Sequence, residues 1–203
     1  MTRHAIFIEP TGALKARIDE LKGQVRAILP GSPYCDHPAH SSLFVAPLKD
    51  PAAGASHLPA SLAIAPLTIY VGEPIVFYDD AFTAGHTLAW RARSDSALQA
   101  LQRTVAQLLA PFVDPQALPP LPPSIAREPF LSSYQRFGFP FVGDHWIPHF
   151  TIASLRTART HPMITAFLAH PESFELPVAE ISLWLVAGET HTKLRTIKLE
   201  GPP

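Results

Sequence analysis

A single cysteine, Cys35, occurs in 203 residues. No intramolecular disulfide is therefore available to the chain, which fits a reducing compartment. Charge is scarce as well: Asp, Glu, Lys and Arg make up 16% of the residues, and the formal net charge is −1 with histidine neutral. No run of Lys or Arg interrupts that balance, which excludes a large surface that tracks a phosphate backbone. A small phosphorylated ligand held by a local site remains compatible with it. No stretch approaches the roughly 18 apolar residues of a membrane span. The N-terminal run HAIFI is cut by Glu9 and Pro10, and no small-residue cleavage pattern follows. A soluble, cytoplasmic protein is expected.

Apolar residues and proline are plentiful, at 47% of the chain and 23 residues. The first is enough for a substantial buried core, either as one domain or as two small lobes sharing it. Residues 4–8 read as a first strand. From 11 to 29 the apolar positions Leu14, Ile18, Leu21, Val25 and Ile28 recur at helical steps until Pro30-Gly31 stops them. Strands are predicted at 41–48, 69–78 and 87–93, and a helix at 55–65 between the first two. Ser94 or Asp95 can cap a helix through Leu109, with Leu98, Leu101, Val105 and Leu108 on one face. Residues 114–129 are proline-rich and read as an extended surface connection. Beyond it the pattern gives strands at 149–155, 178–186 and 193–199, and a short helix at 162–169. Strand-helix-strand on both sides of a link predicts an α+β domain of two similar lobes, near 1–113 and 130–203, with strands free to exchange between them.

Two short elements carry chemistry. One is His40-Ser41-Ser42-Leu43 and the other His149-Phe150-Thr151-Ile152, 149 − 40 = 109 positions apart. On a strand, residues i and i+2 share a face. His40 would then stand beside Ser42, and His149 beside Thr151, with the intervening residues facing the core. Brought to one cavity, the two elements would supply two imidazoles and two hydroxyls. One neutral imidazole can take a proton from an attacking water while the other, protonated, gives one to the leaving oxygen. Hydroxyls of Ser42 and Thr151 can donate to the non-bridging oxygens of a phosphate. That set suits a phosphodiester and needs neither metal nor cofactor.

Paired His-x-Ser/Thr-apolar tetrads, one in each half of a chain of this length, resemble the 2H phosphoesterase superfamily. The chain is most similar to its 2′-5′ RNA ligase and cyclic phosphodiesterase branch. The proline of Trp146-Ile147-Pro148-His149 and the opening HAIFIEP followed by LKARIDELKGQV strengthen the likeness. The resemblance implies a bilobal fold with an antiparallel sheet and flanking helices in each lobe, and an active-site cleft between them. It also implies opening of 2′,3′-cyclic phosphates, or cleavage or ligation of 2′-5′ linkages, without a metal. Carried over by position, His40 and His149 are the catalytic pair, and Ser42 and Thr151 bind the phosphate. The implied partner is a small nucleotide or an RNA terminus, met by a monomer.

Several neighbours are candidate substrate contacts: His37, His145, Trp146, Arg156, Tyr134 and Arg136. His37 with His40, and His145 with His149, could instead be read as metal ligands. Pro38 and Pro148 break the helical spacing such pairs need, and no acidic ligand stands at a recognisable offset. Cys35 has no activating neighbourhood. The remaining histidines, His4, His57, His86, His161, His170 and His191, read as surface or capping residues. A cleft that holds a nucleotide or RNA end without turning it over is the alternative reading. A phosphodiester outside nucleic acids is a further possibility.

Overall fold

A computed structural model describes residues 2–50, 56 and 58–201. In chain order its elements are β1 (Thr2–Ile8), α1 (Gly12–Ile28), β2 (Ser41–Ala46), β3 (Ser61–Ala63), β4 (Leu67–Phe77), β5 (His86–Ala92), α2 (Ser96–Leu109), α3 (Phe130–Phe137), β6 (His149–Leu155), α4 (Pro162–Ala169), β7 (Phe174–Val178), β8 (Glu180–Ala187) and β9 (Thr190–Glu200). The strands form two sheets, ordered β2-β1-β8-β9-β3 and β6-β5-β4-β7. Pairing is antiparallel except between β3 and β9, which run parallel. The class is α+β, and each sheet draws strands from both sides of the proline-rich link.

Each long helix leaves one sheet and reaches the other. α1 follows β1 but lies against β6 and β7, while α2 follows β5 and lies against β2 of the other sheet as well as β4 of its own. One continuous apolar cluster therefore spans both sheets, from Ile6 and Ile8 through Leu101 and Val105 to Phe150 and Ile152. Asp95 caps α2 as expected, its Oδ1 accepting from the Leu98 amide at 2.8 Å.

The helical stripes depart from the apolar pattern in one instructive way. In α1 the buried positions are Leu14, Ile18, Lys22 and Val25, while Ile28 is exposed. In α2 Gln102 is fully buried and Leu108 is not. Each helix thus turns one polar side chain inward, a cost that requires hydrogen-bond partners.

Two expectations are corrected and one element is added. Residues 61–63 are strand, not helix, because they pair with Lys198 to Glu200 of β9; Ala55 and His57 of the expected helix lie outside the described residues. The sequence pattern predicts no element at Phe130–Phe137, which is helical. His4 and His86 are buried rather than on the surface.

At Gly72 β4 carries a register shift against β5, and φ is +149°. A Cβ there would stand 1.8 Å from the Glu172 carbonyl oxygen. Gly72→Ala is expected to lower unfolding free energy by about 2 kcal/mol or more, from backbone strain and from displacement of the 172–173 segment. Urea titration of the variant against wild type measures it.

Candidate active site

Both tetrads lie at the start of strands that edge their sheets. β2 ends one sheet, β6 ends the other, and the two strands approach one another. Their ladders share a detail. Phe7 pairs with Ser42 and Ile6 with Phe44, so Leu43 is the extra residue of a bulge. Ala89 pairs with Thr151 and Leu88 with Ala153, so Ile152 is extra in the same way. The bulge falls on the fourth residue of both tetrads. It sends two successive apolar side chains, Leu43-Phe44 and Ile152-Ala153, into the core and bends the strand just after the hydroxyl residue.

The result is a cavity of about 680 Å³. His40, Ser42, His149 and Thr151 all border it, as do His37, His145 and Trp146. Its remaining wall is largely aromatic, from Phe77, Tyr78 and Phe82 on one side and Phe130, Phe139 and Phe141 on another. These rings pack edge to face, Phe130 on Phe141 at 5.6 Å and Phe139 on Phe141 at 5.8 Å. Lys22 and Asp80 border the cavity too, and their charges act on His40 and His149 respectively.

The two imidazoles are held alike. His40 Nδ1 lies 2.7 Å from the Pro38 carbonyl oxygen, and His149 Nδ1 lies 2.7 Å from that of Ile147. A carbonyl oxygen only accepts, so Nδ1 carries the proton in both rings. In the neutral form each Nε2 is then left with a free lone pair. The His40 ring stacks on Phe7 at 3.7 Å, and the His149 ring meets Phe77 edge-on at 4.9 Å.

Burial depresses both basicities. Desolvation takes His40 down to about 3, the carbonyl bond to Pro38 opposing it and the positive potential of His191, Lys22 and His37 adding to it. His149 is lowered by desolvation too, but the Ile147 carbonyl and the Asp80 carboxylate both act upward. The Lys22 ammonium bears on one histidine, and the Asp80 carboxylate on the other. Lys22 donates to the carbonyls of Tyr34 and His37 at 2.7 and 2.9 Å, and burial lowers it to about 8.

The structure does not bring three of the candidate contacts to the cavity. Arg156 Nε donates to the Thr83 carbonyl at 3.2 Å. The Tyr134 hydroxyl donates to the Pro119 carbonyl, and the Arg136 guanidinium lies over the Phe137 ring at 4.9 Å. Conversely, His191 proves to be a neighbour of the site, 4.4 Å from the His37 ring and 6.0 Å from that of His40. His37 Nε2 lies 3.0 Å from Glu189. Among the described residues, no group of three or more His, Cys, Asp or Glu side chains is placed to hold a metal ion. Cys35 is buried, its thiol bonded to the Lys22 carbonyl and raised in pKa by burial.

A profile of the 2′-5′ RNA ligase superfamily matches residues 10–190. The chain belongs to that superfamily, within the 2H phosphoesterases. Membership supports phosphodiesterase-type activity in general. Among solved structures, TT0787 of Thermus thermophilus superposes with a TM-score of 0.63 at 16% identity, over 98% of each chain. Escherichia coli LigT complexed with phosphate gives 0.57 at 16% identity, over 98% of this chain and 97% of that one. The same protein complexed with 3′-AMP gives 0.57 at 14% identity over 98% of each. These likenesses establish the fold. No curated protein matches the sequence at a significant level. Among the described residues no helix is long and apolar enough to cross a membrane.

The depressed histidines link stability to pH. A free His40 binds a proton below its ordinary value of 6.5, whereas the folded protein resists doing so until about 3. Between those values the unfolded state holds more protons, so stability is full above 6.5 and falls as pH drops toward 3. The urea midpoint of wild type is expected to drop more between pH 7 and pH 4.5 than that of His40→Gln. Parallel losses in the two proteins would refute the linkage.

Proposed function

We propose that the protein is a metal-independent phosphodiesterase in which His40 and His149 act as an acid-base pair on a nucleotide phosphodiester. The observation that carries this reading is the matched pair of Nδ1 locks on two histidines that border one cavity, which leave both Nε2 atoms available for proton transfer. Ser42 and Thr151 border the same cavity and would donate to the non-bridging oxygens. The aromatic wall offers a face for a nucleobase. The complexes of LigT with phosphate and with 3′-AMP are consistent with such a ligand.

For a 2′,3′-cyclic phosphate, one histidine removes a proton from water as the water oxygen bonds to phosphorus. The bond from phosphorus to one ribose oxygen breaks, and the second histidine protonates that oxygen. Replacing water by a ribose hydroxyl of another chain makes the same steps a ligation, and reversing them cleaves a 2′-5′ linkage. The electrostatic asymmetry supports one assignment of the roles. His40, with the Lys22 ammonium bearing on it, is the base. His149, beside Asp80, is the acid, and the negative charge of a bound phosphodiester raises it further.

The test is turnover of a panel of 2′,3′-cyclic nucleotides with EDTA present. His40→Ala and His149→Ala are each expected to reduce kcat by about 10²–10⁴, with circular dichroism unchanged. Near-normal turnover in either variant, or loss of wild-type turnover to the chelator, overturns the mechanism. Saturable binding without product in wild type would assign the cleft to nucleotide binding alone. An activated ester separates the roles: a p-nitrophenyl phosphodiester, whose leaving group needs no proton, is expected to restore most activity to His149→Ala and little to His40→Ala. Equal recovery would refute the assignment.

A further inference from the structure

A second concavity, of about 520 Å³, opens beside the second tetrad and shares no residue with the first. Its walls include Tyr70, Glu73, Arg91 and Arg93. The ladder relates it to the site. Arg91 is the direct partner of His149, and Ala89 of Thr151. Residues opposite one another in an antiparallel pair leave the same face of the sheet, so Arg91 stands on the face that presents His149 and Thr151. Arg93 follows on that face two residues on, about 7 Å farther along the strand. Between them Ala92 is fully buried, on the core face with its partner Val71. Tyr70 precedes Val71 and so emerges beside Arg93, whose amide donates to the Tyr70 carbonyl at 2.8 Å.

From His149 the face thus leads two ways. Toward Phe77 lies the cavity. Toward Arg91 and Arg93 lies an open groove with one exposed aromatic ring, Tyr70 at 51% exposure. The acidic residues there are engaged: Glu172 with Arg17 at 2.7 Å, and Glu73 loosely with Arg91 at 3.7 Å. Arg93 has no carboxylate partner among the described residues. Two guanidinium groups and a free ring within reach of one another form the usual pairing for single-stranded nucleic acid, cations for the backbone and a stacking surface for a base.

We propose that this groove binds the nucleotide adjoining the reacting phosphodiester, with its phosphate on Arg91 and Arg93 and its base on Tyr70. The substrate class is then an oligoribonucleotide end rather than a free mononucleotide. Two cations meet the needs of one such nucleotide, which agrees with a near-neutral chain that lacks an extended basic surface. The inference rests on the phosphodiesterase reading of the neighbouring cavity.

The experiment compares kcat/KM for a mononucleoside 2′,3′-cyclic phosphate with that for a trinucleotide ending in the same group. Wild type is expected to favour the trinucleotide, and Arg91→Ala/Arg93→Ala to lower the trinucleotide-to-mononucleotide ratio tenfold or more. Tyr70→Ala should lower it severalfold. A ratio that does not move in the double variant overturns the proposal. If wild type turns over neither substrate, the phosphodiesterase reading has failed and the groove is judged by binding. Anisotropy of a labelled trinucleotide bearing a 3′-phosphate should then show a salt slope shallower by about 0.7 in the double variant. An equal slope, or no binding to wild type, overturns the groove as well.

Discussion

The geometry of the cavity depends on a reciprocal clamp between two loops and two edge strands. The loop that leads into the second tetrad reaches the strand of the first: the Trp146 indole donates to the Ser42 carbonyl at 3.0 Å. The loop that leads into the first tetrad reaches the strand of the second: the Ser154 amide donates to the Pro33 carbonyl at 2.9 Å. Edge strands carry backbone groups that need partners, and here each lobe supplies them for the other. Gln102 reinforces the clamp from within. Its amide donates to the carbonyls of Leu43 and Phe141 and its oxygen accepts from the Gly143 amide. A buried amide with all of these bonds made stabilises the arrangement; with one broken it would carry the full cost of an unsatisfied polar group. The relative position of the two histidines is thereby tied to a backbone bond and to two buried side chains, Trp146 and Gln102, and not to exposed flexible ones.

The inward polar residues of the two long helices fit the same scheme. Lys22 reads as an error in the apolar stripe of α1 until its two carbonyl partners are seen. Both belong to the turn carrying His37, just ahead of His40. Gln102 holds the corresponding elements from α2. Each helix follows a strand of one sheet and reaches the other, so each can steady parts that local chain order would keep separate. The polar position costs helix burial and gains a fixed loop.

How much of this was legible in the sequence follows from the range of each interaction. Strand alternation and the paired tetrads are local, and they pointed to His40, Ser42, His149 and Thr151, which the fold does place around one cavity. The bulges had a visible sign in the consecutive apolar pairs Leu43-Phe44 and Ile152-Ala153, which break a period of two. Arg156, by contrast, looked well placed because it follows the tetrad on its own strand, yet its guanidinium turns to Thr83 in the β4 to β5 connection. His191 was missed for the complementary reason. It comes close to His40 only through the pairing of β8 with β9 and of β8 with β1, and no pattern near position 191 encodes that. The short strand β3 has three residues and gains its identity wholly from β9.

One consequence of burial ties binding to chemistry. In the empty cavity both imidazoles are driven toward the neutral form, chiefly by desolvation. Two neutral histidines can supply a base but not an acid. A phosphodiester brings a negative charge into the same low-dielectric space, and that charge favours protonation of whichever ring is less opposed by its neighbours. In the proposed mechanism, Asp80 acting on one ring and Lys22 on the other favour His149 as the ring that gains the proton. On that reading the acid would be formed by the substrate it serves, and a ligand without the charge would leave the pair incomplete. An overall charge near zero suits such a site, because the selectivity lies in a local field created on binding and not in a standing attraction for every anion.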